Sequence, residues 1–305
     1  MSRSTLIALG AGALSAIFSL TVLLGPITAL PLFLAGLSLG TQAGTIACAS
    51  GFILAWVVGG ALLAGPYGLI YAVPALVVMR QTLLHRPGAS GPATWYAAGG
   101  IISTLTALGM GLLLLGAIVL WAQGMGVVET ITAQVTRLVD VVGTASTPED
   151  RQTFIGFVVP VLPGLFVTSW MLVTLANGGI AQSLLTRMGR SIRPKGSLRE
   201  VNLPSWMSWL IVGAAAIALA GSGDLEYIGR NLALVAAVPF FLVGVSLAHL
   251  FAQRLPWPGP ALAAFYVALL FLGPASLLVA GIGIIDQWFG LRHKLGAPGN
   301  DQETE

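Results

Sequence analysis

No Asp, Glu, Lys, Arg or His occurs between Ser4 and Met79. A stretch that long holds three or four membrane crossings at roughly 20 residues each. Further uncharged stretches follow at 87–128, 152–186, 201–223 and 255–285, and 231–253 carries only His249. Each is sized for one crossing with its flanks. Charged residues are 8% of the 305 in the chain, against about 25% in soluble domains. A water-facing surface cannot be built from so few. That excludes an ordinary soluble enzyme, a disordered chain and a nucleic-acid binder of the basic-patch kind.

Hydrocarbon offers no water to backbone N–H and C=O groups, so the crossings are expected as α-helices. A β-barrel would alternate apolar and polar residues, whereas 112–120 is apolar throughout. The expected fold is all-α: a polytopic transmembrane bundle of eight or nine spans. These are 5–24, 27–40, 45–64, 67–79, 96–121, 154–175, 206–220, 232–251 and 261–285, in one domain over 1–290 with a polar tail at 291–305. Gly25-Pro26 ends the first span, and 27–40 reads as a short tilted span or a re-entrant piece. Ala13-Leu14-Ser15-Ala16 resembles a signal-peptide cleavage site. The apolar run continues to Leu24, so we read a retained first span.

Lys and Arg near span ends set orientation. Arg187, Arg190, Arg193, Lys195 and Arg199 crowd a loop at 184–203, which is therefore expected in the cytoplasm. Arg80, Arg86, Arg254 and Arg3 fall on the same side by span counting. Glu129, Asp140, Glu149 and Asp150, with Asp224 and Glu226, mark the outer loops. The same count places the tail outside, although Arg292 and Lys294 fit that poorly.

Two segments are neither span nor simple loop. Val128, Ile131, Val135, Leu138 and Val142 share one helix face, so 127–146 is expected as an amphipathic helix on the outer surface. It is either a connector resting its apolar face or a lid. Thr147-Pro148-Glu149-Asp150 then reads as a helix start: a capping hydroxyl, proline in the first turn, and acids at the positive dipole end. The basic loop is expected to meet anionic headgroups, or to dock a partner.

Catalytic chemistry finds no support. Cys48 is a lone cysteine, and His85, His249 and His293 have no ligand spacing, so no metal or cofactor is expected. No phosphate-binding loop or HExxH occurs. Polar groups at membrane depth are the better lead, being expensive there. The candidate substrate contacts are Glu226, Arg230, Asn231, His249 and Asp286. Glu226 and Arg230 are spaced to pair on one helix face. His249 lies one turn before Arg254 and either snorkels or acts inside the bundle. Asp286 stands at the water boundary or turns inward. Ala8, Gly12 and Ala16 recur every four residues, a small-residue pattern that lets another helix approach closely.

The last hundred residues carry recognisable motifs. They read Leu203-Pro204-Ser205-Trp206, Arg230-Asn231-Leu232, Phe240-Phe241-Leu242-Val243-Gly244, His249 and Leu255-Pro256. They close on Gly283-Ile284-Ile285-Asp286-Gln287-Trp288-Phe289-Gly290-Leu291-Arg292. This resembles the YybS-like family of predicted bacterial membrane proteins, whose function is unknown. The chain departs from that pattern at Gly290, where the family often has an acid. The resemblance implies a multi-pass protein of the bacterial inner membrane. It further implies a distant similarity to the S components of energy-coupling-factor transporters, in which Ala8, Gly12 and Ala16 would match the positions that dock a membrane coupling subunit.

Three functions compete. One is a subunit that binds a small solute from outside and passes it inward beside an energising partner. The second is a structural or assembly protein of the cell envelope, contacting a cytoplasmic partner through 187–199. An intramembrane enzyme is the third, and no convergent acid–base set supports it.

Overall fold

A computed structural model describes residues 2–87, 93–143, 147–194, 201–273 and 275–291. Twelve helices are found among them: α1 Arg3–Ser19, α2 Leu30–Leu39, α3 Thr41–Tyr67, α4 Val73–Leu83, α5 Ala98–Ala122, α6 Val127–Val142, α7 Pro148–Val158, α8 Leu162–Arg187, α9 Trp206–Ala220, α10 Asp224–Ala252, α11 Pro258–Phe271 and α12 Ala275–Phe289. The described strand content is one two-residue antiparallel pair, β1 His85–Arg86 and β2 Thr94–Trp95. The helical, apolar architecture is as expected.

The expected count of eight or nine spans is not confirmed by helix length and composition among the described residues. Four helical runs are long and apolar enough to cross: Thr41–Leu83, Ala98–Ala122, Pro148–Arg187 and Asp224–Ala252. The bent pair α11 and α12 gives a fifth if it counts as one span. α1, Gly25–Leu39 and α9 are apolar but shorter. Helix α9 has 15 residues, which is roughly 22 Å of rise against a hydrocarbon core of about 30 Å.

The run Thr41–Leu83 has 43 residues, about twice what a bilayer needs. It breaks at Gly59–Gly60, where Gly60 has φ 59° and ψ −150°, a conformation open to glycine alone. The spans expected at 45–64 and 67–79 meet at Gly65-Pro66. Pro66 instead stays inside the helix, and a π-turn over Gly68–Ala72 follows it.

The chain forms two compact units, with boundaries inside α5 and α8: unit 1 is Met1–Gly111 with Phe166–Ser197, and unit 2 is Leu112–Leu165 with Leu198–Glu305. In unit 1, α1 lies on α3 through small residues. A Cβ on Gly12 would fall 2.1 Å from the Ala47 carbonyl oxygen and 2.8 Å from the Gly51 nitrogen. In unit 2, α10 is the central element, with α9 and α12 packed on it. A Cβ on Gly283 would lie 1.9 Å from the Phe240 carbonyl oxygen, so backbones touch at that seam as well. Outward side chains are apolar: Trp209 is 77% exposed and Leu219 87%. Lipid, not water, accommodates such a surface.

Helix α6 forms as expected, but its buried edge is Val127, Val135 and Val139. Leu138 and Val142, assigned to that face from sequence, are exposed together with Val141. The tertiary contact turns the helix by about one residue, leaving these three for lipid. Arg151 and Asp140 pair at 2.6 Å and tie α7 to α6. The start of α7 is the one read from sequence: the Thr147 hydroxyl accepts the Asp150 N–H at 3.1 Å, with Pro148 in the first turn.

Candidate functional site

Each interruption of a membrane helix frees backbone groups that lipid cannot satisfy. In unit 2 the interruption is a 3-10 turn at Val159–Val161, beside Pro160 and Pro163. Two residues one turn apart on α10 repair it. Tyr227 Oη donates to the Val159 carbonyl at 2.8 Å. Asn231 Nδ2 donates to the Pro160 carbonyl at 3.1 Å, while its Oδ1 accepts the Gly164 N–H at 2.7 Å. Pro160 C=O and Gly164 N–H are the pair that an unbroken helix would join to each other. Asn231 also donates to the Tyr227 carbonyl at 2.8 Å and is fully buried.

Unit 1 repairs its interruptions from α8. Trp170 Nε1 donates to the Ile70 carbonyl in the π-turn at 2.7 Å. Asn177 Nδ2 donates to the Pro26 carbonyl in the 3-10 turn Gly25–Ile27, and to Val173 one turn back, each at 2.7 Å. Beside them, Tyr67 Oη donates to Ser15 Oγ at 2.9 Å, and Ser15 donates to the Thr28 carbonyl at 2.7 Å.

After these repairs, four buried side-chain oxygens among the described residues have no hydrogen-bond partner: Gln81 Oε1, Thr168 Oγ1, Asn177 Oδ1 and Gln182 Oε1. All four belong to unit 1, and three lie on α8. Asn177 is only 3% exposed. Its amide cannot be turned round, since its nitrogen feeds two carbonyls; Oδ1 is therefore left as a pure acceptor. Orphaned buried acceptors are rare, and one that persists calls for a partner outside the chain.

The residues singled out from sequence do not converge. Asn231 spends its amide on the helix repair. Glu226 and Arg230 pair with each other one turn apart and are half exposed. His249 Nδ1 bonds to the Val245 carbonyl at 2.9 Å, and its Nε2 lies 3.4 Å from Tyr266 Oη on α11. Asp286 is 3% exposed, so it faces inward, while neighbouring Gln287 donates to the Leu203 carbonyl at 3.0 Å. Ala8, Gly12 and Ala16 are buried in α1, with Gly12 set against α3. The small-residue pattern serves the packing of α1 within the chain.

Arg187 and Arg190 are exposed, whereas Arg193 is a brace. It donates to the Thr82 carbonyl at 3.2 Å and the Tyr96 carbonyl at 3.0 Å, with the guanidinium carbon 5.9 Å from the Trp95 ring centre. Burial lowers its pKa from the usual arginine range. Lys195 and Arg199 lie outside the described residues.

Sequence reasoning missed Asn177, Trp170 and Tyr227, and read Asp224 only as an outer-loop charge. The Asp224 carboxylate accepts from Trp121 Nε1 at 2.9 Å, Val127 N at 2.8 Å and Val128 N at 3.1 Å. It caps α6, whose own cap position, Gly126, has no side chain to do so. We expect Asp224→Ala to cost about 1–2 kcal/mol, a typical cap. Hydrogen exchange should rise in the first turn of α6 and stay unchanged in α9; equal protection in wild type and variant would refute the cap.

Among the described residues no group of His, Cys, Asp or Glu could hold a metal ion. The model of a family described as "Predicted membrane protein (DUF2232)" matches residues 5–287. No curated protein and no solved structure matches the chain.

Proposed function

The chain belongs to the DUF2232 family of predicted membrane proteins, and from that premise we propose that it binds a small solute inside unit 1, as the membrane-embedded subunit of a transport system. The observation that carries this reading is the buried, unpartnered Oδ1 of Asn177. Leaving such groups unmet costs about 1–3 kcal/mol each, a cost that a bound solute removes. Amide oxygens accept and never donate, so the solute offers N–H or O–H groups. The interrupted helices around it, at Gly25–Ile27 and Gly68–Ala72, resemble the way transporters build midplane sites from broken spans. Lacking a phosphate-binding loop, the subunit draws its energy from a separate partner. The reading as an envelope-assembly protein has no comparable observation behind it.

Native mass spectrometry of protein extracted with its lipids tests this. Wild type should carry a stoichiometric non-lipid mass. Asn177→Leu should abolish its retention. Thr168→Val, nine residues away on the opposite face of α8, is the matched control and should leave retention unchanged. Wild type bearing lipid masses only, or Asn177→Leu retaining the solute undiminished, would overturn the reading.

A further inference from the structure

We propose that one end of unit 1 is a binding surface for anionic phospholipid headgroups. The starting point is charge segregation. Unit 1 contains no Asp or Glu at all, and apart from Arg3 its Lys and Arg residues fall within 80–86 and 187–195. Both ion pairs of the described residues lie in unit 2. Of the basic segments, 80–86 and 187–193, about a hundred positions apart in sequence, are brought to one end of the unit. Arg193 clasps Thr82 and Tyr96, on either side of the β1–β2 pair. Gln182 Nε2 donates to Ser191 Oγ and to the Arg193 carbonyl, both at 2.7 Å, and so holds the loop. The Ile192 N–H reaches the Leu37 carbonyl of α2 at 3.4 Å.

With Arg193 engaged, Arg80, Arg86, Arg187 and Arg190 remain exposed and, among the described residues, without a carboxylate partner. Exposed Leu84, Leu184, Met188 and Ile192 are interleaved with them. An acidic protein would have to set carboxylates and apolar side chains in matching register against this rim. A phospholipid offers a phosphate for guanidinium donors and, next to it, acyl chain for the apolar side chains. The mixed rim therefore fits lipid. This surface is distinct from the interior of unit 1, and the solute reading stands or falls separately.

The test is lipid titration of the delipidated full chain in neutral detergent, read by native mass spectrometry. Phosphatidylglycerol and phosphatidylcholine of equal acyl composition are compared. Wild type should prefer phosphatidylglycerol at least tenfold. Each single Arg→Gln change at 80, 86, 187 or 190 should lower that preference roughly fivefold, the equivalent of about 1 kcal/mol per basic residue near the surface. The combined variant should bind both lipids alike. Arg137→Gln, on unit 2, should change nothing, and thermal melting should confirm that all variants fold. Equal binding of the two lipids by wild type would overturn the proposal. So would a combined variant with undiminished preference, an equal loss in Arg137→Gln, or polyglutamate outcompeting the anionic lipid.

Discussion

Gly12→Leu is expected to destroy the packing of α1 on α3 and to leave little folded protein. A Cβ at that position would meet Ser50 Oγ at 1.9 Å and the Ala47 carbonyl oxygen at 2.1 Å. The serine could rotate away, but the Ala47 oxygen is backbone of a facing helix, so relief requires the helices to part. Close backbone approach is a main source of helix association in lipid. We expect a loss of more than about 3 kcal/mol, the upper range for overpacking. Gly10→Leu is the matched control, two residues away on the same helix with nothing within 4 Å of its Cβ. It should stay within about 0.5 kcal/mol of wild type. Unfolding in sodium dodecyl sulfate titrations, followed by tryptophan fluorescence, separates the two. Identical midpoints for Gly12→Leu and Gly10→Leu would show that α1 does not pack in this way.

Asn231→Leu should be nearly as damaging, for a different reason. Leucine has a similar volume, so no large cavity forms. What goes is three hydrogen bonds, to Gly164 N–H and to the Pro160 and Tyr227 carbonyls. The first two groups belong to an interrupted helix and have no water to turn to. At about 1–3 kcal/mol for each orphaned group, we expect roughly 4 kcal/mol. Tyr227→Phe removes only the bond to Val159 and should cost about 1 kcal/mol. In the same titration the double variant should fall short of the sum, because both side chains mend one break. A midpoint for Asn231→Leu at or above that of Tyr227→Phe would contradict this account.

The candidate site was only partly legible. The sequence pointed to polar residues at membrane depth, and Asn231 does matter, but as a repair to the backbone. Asn177 satisfies the same criterion, an uncharged polar residue in an uncharged stretch, and went unremarked because nothing local distinguishes it. Its significance comes from Pro26, 151 positions away. The Ala8, Gly12 and Ala16 pattern marks a helix-contact surface, and the helix that meets Gly12 is α3. A small-residue stripe states that something approaches closely, not whether it belongs to the same chain. The pairing of Glu226 with Arg230 was predictable because four-residue spacing is set by the helix itself.

Composition and charge spacing by themselves determined the solvent and, through it, the secondary structure. Oil leaves uncharged backbone no choice but internal hydrogen bonding, a constraint that acts residue by residue. Where the runs break, and what closes each break, only the tertiary structure decided. Trp170 reaches Ile70, Asp224 reaches α6 and Asn231 reaches Pro160. Each joins groups some seventy to a hundred positions apart, and helical periodicity carries no information over such a distance.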